Sequence, residues 1–425
     1  MKVTGFNFRR ICLLVILLGF LSACGDNGKV AVNDLTDRIE VLGNPYQSKY
    51  KDGAYVYARN IWDMQSYQGS IYLGAGNSSN NGPAQNAGPV PIIKFDPVTQ
   101  KFIQEGVVDD EQIDVYHVVN GELYTPGHDP KESWKLGNFY HRDNNGVWVK
   151  YRNIPSAIHT YSLAGYKEKL FGSLNLNDDG AAVSISEDKG KTWTVTSIGR
   201  SRVYGFLDVA NSLYAIKRFP SLIQWEDEMT IDEHELYNPV YEFKEPNSFI
   251  PRKDITPEIF FPNTKLNDNK TTKIVRPLTV GEKGVYIGAY THNDHQFLPF
   301  GVYIATSLAK GHVQVDKIPI PDQFKAWDLL FKEGYLYILT SQQNGDGVNI
   351  KVLRSTVDDL LNLSEVLDFT AHTFARSFEI LDNDFYFGLG SEVENSKQWR
   401  QEELKPETGQ ILRIRNVLLN KSSEK

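Results

Sequence analysis

The chain has 425 residues with 53 acidic against 45 basic side chains, a formal net charge of -8, which disfavours nucleic acid and anionic lipid surfaces as ligands of its body. A hydrophobic share of 41% and an aromatic share of 12% are enough for one large core, and repeat or barrel folds of this length form single domains. Both cysteines, Cys12 and Cys24, fall within the first 24 residues. The body therefore has no thiol for a disulfide, a thiolate zinc site or a cysteine nucleophile.

The N-terminus has the order of an export signal. Lys2, Arg9 and Arg10 precede an apolar run from Ile11 to Phe20, too short to anchor as a membrane span. Leu21-Ser22-Ala23-Cys24 follows directly. This order resembles the lipobox of bacterial lipoproteins, in which small residues admit the peptidase and the cysteine thiol takes a diacylglycerol. The resemblance implies a signal peptide over residues 1–23, lipidation of Cys24 and a tether over residues 24–37. Gly25 after the cysteine implies, by the same resemblance, the outer membrane of a Gram-negative envelope. Removing the signal takes away three basic side chains and no acidic one, leaving 42 against 53, a charge of -11.

Beyond the tether, a strand, a turn and a second strand carrying an aromatic recur. Trp62-Asp63-Met64 leads through Gln68-Gly69 to Ile71-Tyr72-Leu73, and Trp327-Asp328-Leu329 through Glu333-Gly334 to Leu336-Tyr337-Ile338. Five more copies centre on Tyr124, Phe171, Tyr214, Tyr286 and Tyr386, after turns such as Asn120-Gly121 and Asp382-Asn383 that suit tight hairpins. The anchors lie 52, 47, 43, 72, 51 and 49 residues apart, the period of a four-stranded blade. Each anchor is followed by two further strand-like runs, such as Pro91–Phe95 then Lys101–Ile103. A lone sheet of this kind exposes two apolar faces, which radial stacking buries. The pattern predicts an all-β protein, a β-propeller of seven four-stranded blades over residues 38–417, with a polar tail over 418–425. The last copy has room for one strand after its long loop, Gln410–Ile414, so Arg38–Leu42 is predicted to supply its outer strand and close the ring by exchange between the termini. The 72-residue interval predicts an insertion over 219–272, read as a lid or partner surface.

One local motif stands out. Ser186-Glu187-Asp188-Lys189-Gly190-Lys191-Thr192-Trp193 resembles the Asp-box, or BNR repeat, of sialidases and other secreted propellers, over one blade at about residues 157–198. Ser186, Asp188, Gly190, Thr192 and Trp193 are expected to stabilise a turn on the outer side of the ring. Sialidases also use three arginines, a tyrosine with a glutamate partner, and an aspartate. Here there is one box and no early Arg-Ile-Pro motif, Val275-Arg276-Pro277-Leu278 being the nearest echo, so sialidase action is disfavoured.

Propeller ligands sit at one end of the channel. Ten residues back from the anchors stand Trp62, Asp114, Tyr204, Arg276, Trp327 and Arg376, with His159 or Tyr161 in the third copy. Aromatic platforms beside charged groups suit a sugar or another polar ligand. Loops at His128-Asp129, Asn177-Asp178-Asp179 and His292-Asn293-Asp294-His295 adjoin this mouth. The histidine pair lacks a third ligand and the Asn175–Gly180 run lacks the calcium-loop glutamate, so neither a metal nor a cofactor is assigned. No phosphate-cradling loop or Gly-x-Ser-x-Gly elbow is present. The expected function is a cell-envelope binding or scaffolding propeller for a carbohydrate, polymer or protein partner, bound to the membrane by its lipid and not to nucleic acid. The alternative is an extracellular carbohydrate hydrolase or lyase using Arg276, Arg376, Asp114 and His159.

Overall fold

Tight turns and alternating apolar residues give seven antiparallel sheets of four strands, arranged as a β-propeller. The computed structural model describes residues 34–178, 180–221, 237–291 and 297–418; the signal and Cys24, most of the tether and the tail after Leu418 lie outside them. The first strands of the blades are Met64–Tyr67, His117–Val119, Ala157–Tyr166, Val203–Val209, Thr272–Val280, Lys325–Lys332 and Ala375–Leu381. They pack against one another around the channel. All seven aromatic anchors fall on second strands, where their rings are buried between blades. Tyrosine suits the position because its ring fills the gap while its hydroxyl reaches a polar group at the edge: Tyr72 donates to Glu105 and Tyr124 to Glu122, both at 2.9 Å.

The ring closes as predicted. Glu40–Gly43 pairs with Ile411–Ile414, Glu40 opposite Arg413 and Val41 opposite Leu412, so the seventh blade joins the two ends of the chain. Arg413 and Arg415 both donate to the Glu40 carboxylate, Arg415 Nε at 2.6 Å. Arg413 is buried while the Glu40 and Arg415 side chains are partly exposed, and the two pairs add to the strand pairing that closes the ring.

The Ser186–Trp193 turn joins the third and fourth strands of blade 3. Asp188 accepts from the Thr192 amide at 2.9 Å, the Thr192 hydroxyl at 2.6 Å and the Ser186 hydroxyl at 2.8 Å. These bonds, the Thr192 hydroxyl first, hold its carboxyl down at about 2. Gly190, at φ +87°, presses on Phe139 of blade 2, which a Cβ would meet at 2.4 Å. Trp193 packs edge-on against the same ring at 5.5 Å, so the turn braces two blades.

The 219–272 interval differs from the predicted excursion. Its middle supplies the outer strands of blade 4, Val240–Lys244 and Ser248–Pro251, and the run that follows sends Ile255, Phe260, Phe261 and Leu266 into the core. The acidic runs Glu226–Glu228 and Asp232–Glu235 lie outside the described residues. Thr256 caps the short helix Pro257–Phe260, which brings Phe260 and Phe261 against Phe219, Tyr286 and Tyr303. The Phe260 and Tyr286 rings stack at 4.7 Å, and the Tyr286 hydroxyl donates to the Phe260 carbonyl at 2.6 Å. This segment is a wedge between blades 4 and 5. Phe261→Ala is expected to cost about 3–5 kcal/mol in denaturant unfolding; a loss under about 0.5 kcal/mol, normal for a surface site, would return the segment to surface decoration.

Candidate functional site

First strands have one edge facing the channel, where backbone N–H groups find no strand partner and need another acceptor. Carboxylates supply it across four consecutive blades. Asp328 of blade 6 accepts from the Phe378 amide of blade 7 at 3.1 Å, Glu379 of blade 7 from the Ser66 amide of blade 1 at 2.6 Å, and Asp63 of blade 1 from the Tyr116 amide of blade 2 at 2.7 Å. Burial raises all three carboxyls, Asp328 to about 7.

Arg276 of blade 5 reaches into this ring. Its Nη1 lies 3.3 Å from Asp63 and from the Asp114 carbonyl, and its Nε lies 3.3 Å from Asp328. The strand slips register between Val275 and Leu278, and Arg276 takes a φ of 51°. A bulge aims the side chain off the sheet, and a residue without glycine's freedom held in the left-handed region needs support from its surroundings.

Around these groups lies a cavity of about 350 Å³ to which every blade contributes. It sits where the channel meets loops 74–89 and 390–410, which touch each other at Gly82 and Ser396. Of the residues singled out in the sequence, Trp62, Asp114, Tyr204 and Arg276 line it, as does Tyr161. The other three stand behind it. Arg376, fully buried, lies 4.2 Å from the Trp62 ring centre and bonds Asn60, the Ser391 carbonyl and Glu392, which ties down loop 390–410. Trp327 donates to the Ser341 hydroxyl at 2.6 Å, and His159 Nδ1 donates to the His128 carbonyl at 2.7 Å.

Asp63 and Asp328 were missed because counting back from the anchors stopped at Trp62 and Trp327, and Glu379 because it stands three places after Arg376, where the count stopped in that copy. The signal was the aspartate that follows tryptophan in both copies. His128, noted as a loop residue, also reaches the cavity. Asp179 and His292–His295 lie outside the described residues, within which no group of three or more His, Cys, Asp or Glu side chains is arranged to hold a metal ion.

Asp114 carries a lowered carboxyl pKa: burial opposes ionisation, but the His128, Arg276 and Lys273 charges together outweigh it. Burial, with Arg276 adding to it, pushes His117 down to about 4, and burial also lowers His128. Tyr161 and His128 line the wall, while the Tyr161 hydroxyl and His128 Nδ1 are themselves buried with no hydrogen-bond partner among the described residues. Tyr161 packs 5.3 Å from Tyr204 and 5.2 Å from His128. This defines the class of molecule, a seven-bladed propeller with a polar, aromatic-walled cavity in its channel. Compared with known proteins, no family model and no curated protein matches the chain.

Beside the mouth, Asp110, Glu111 and Asp129 crowd together. Burial first, then mutual repulsion, raises Glu111 and Asp129 to about 7, and burial raises Asp110 to about 6 against hydrogen bonds from Tyr140 and Asn138. A carboxyl raised in the folded state favours folding fully below its unfolded pKa, and that contribution disappears as pH rises through the folded value. Glu111→Gln is therefore expected to raise the melting temperature at pH 8 and to leave it unchanged near pH 4, measured by calorimetry; equal shifts at both pH values would refute the assignment.

Proposed function

We propose that the protein is a lipid-anchored binding propeller of the bacterial cell envelope that takes a saccharide unit of an extracellular polymer in its channel cavity. The observation that carries this reading is how the cavity's charges are used. Asp63 and Asp328 are engaged by backbone amides and by Arg276. An acid/base pair for glycoside cleavage needs two carboxyl groups directed at the substrate bond, whereas these serve the ring. The aromatic wall, with Trp62, Tyr161 and Tyr204, fits holding a ligand. A propeller fold by itself is compatible with either role.

A glycan array probed with the full chain in a non-glycosidic detergent, beside a release assay on the same glycans, tests the choice. Retention without new reducing or unsaturated ends is expected. Turnover that disappears in Arg276→Ala would establish the enzyme instead, and retention of proteins but no glycan would establish a protein partner.

Anchoring rests on the Leu21–Cys24 order. Cys24→Ser is expected to move the protein from the membrane pellet to the soluble fraction. Mass spectrometry finding an unmodified Cys24 in the mature wild-type chain would remove the anchor from the reading.

A further inference from the structure

We infer that the gap between Asp114 and Arg276 is a subsite for two adjacent hydroxyls of a neutral sugar ring. This rests on the reading of the cavity as a saccharide site and names what the site selects.

Arg276 is held by two of its three nitrogens. Nε faces Asp328, and Nη1 faces Asp63 and the Asp114 carbonyl. Nη2 forms no hydrogen bond with the described residues and is not among the buried polar atoms that lack a partner, so it keeps accessible surface in the cavity that Arg276 lines. Asp114 is similarly half engaged. One carboxylate oxygen accepts from Gln112 Nε2 at 2.9 Å, and the other has no donor among the described residues and is likewise not one of the buried atoms that lack a partner. The two side chains affect each other's charge without forming an ion pair. The bulge and the positive φ at Arg276 fix the guanidinium where it stands.

A guanidinium only donates and an ionised carboxylate only accepts. A bridging ligand must therefore accept at one end and donate at the other through neighbouring atoms. An anionic group gains from Arg276 but is repelled by Asp114, and a cation meets the converse. A hydroxyl does both, so a vicinal pair satisfies the two side chains with no buried charge added. An amino-acid zwitterion also bridges them, but its charged groups are then used up. A sugar ring also keeps a carbon face for the aromatic wall.

The test is calorimetric titration of the full chain with methyl glycosides of neutral hexoses, their single-deoxy forms, the matching uronates, and alanine. One neutral glycoside is expected to bind, to weaken about ten- to a hundredfold when one hydroxyl of the recognised pair is removed, and to bind better than its uronate. Asp114→Asn keeps an oxygen for Gln112 and should weaken the parent glycoside by a similar factor while leaving the matching deoxy sugar unchanged. Should that variant melt early, the deoxy series on the unaltered chain decides alone. A uronate or alanine binding more tightly than every neutral glycoside overturns the subsite, as does a neutral glycoside that loses less than twofold for every deoxy position. If no sugar binds at all, the saccharide reading falls along with it.

Discussion

The structure depends on how the inner edges of the blades are satisfied. A ring of strands converging on an axis leaves backbone amides pointing into a narrow space, and a buried amide without an acceptor is costly. Asp63, Asp328 and Glu379 meet that need from one blade to the next. Doing so places three carboxyls with raised pKa values near the axis, and the cationic Arg276 between two of them offsets the charge. The groups that give the cavity its character are thus the same groups that hold four blades together.

That coupling explains why the sequence revealed the ring more readily than the site. Aromatic anchors on second strands repeat because every blade has the same gap to fill, so Tyr72, Tyr124, Phe171, Tyr214, Tyr286, Tyr337 and Tyr386 form a period that needs no structure to find. Closure by a strand at Arg38–Leu42, found at Glu40–Gly43, followed from a count of missing strands. The inter-blade hydrogen bonds leave no such period. Asp63 and Asp328 share a place after tryptophan, yet Glu379 does the same work from a different position, and Arg276 depends on a bulge that spacing does not reveal. Counting from the anchors therefore found residues in the cavity wall, such as Trp62 and Asp114, together with residues one layer behind, such as Arg376 and Trp327.

The fourth interval was misjudged for a related reason. The blade's outer strands, Val240–Lys244 and Ser248–Pro251, are short and sit inside an acidic, proline-containing stretch, so composition suggested a surface excursion. What decides the matter is long-range packing. Phe260 and Phe261 gain their burial from Tyr286 and Tyr303 of the next blade, partners that are distant in sequence.

Arg376 and Arg276 show how one residue type is used in two ways. Arg376 is fully buried, stacked near Trp62, and bonded to the loop that borders the cavity, so its charge is consumed by position. Arg276 is held by longer contacts, 3.3 Å at both Nη1 and Nε. A guanidinium held at two of its nitrogens is already oriented, so a ligand meeting the third loses little to reorganisation. The strained backbone at Arg276 and the stitching carboxylates supply that fixity, which is why the binding reading and the fold rest on the same few side chains.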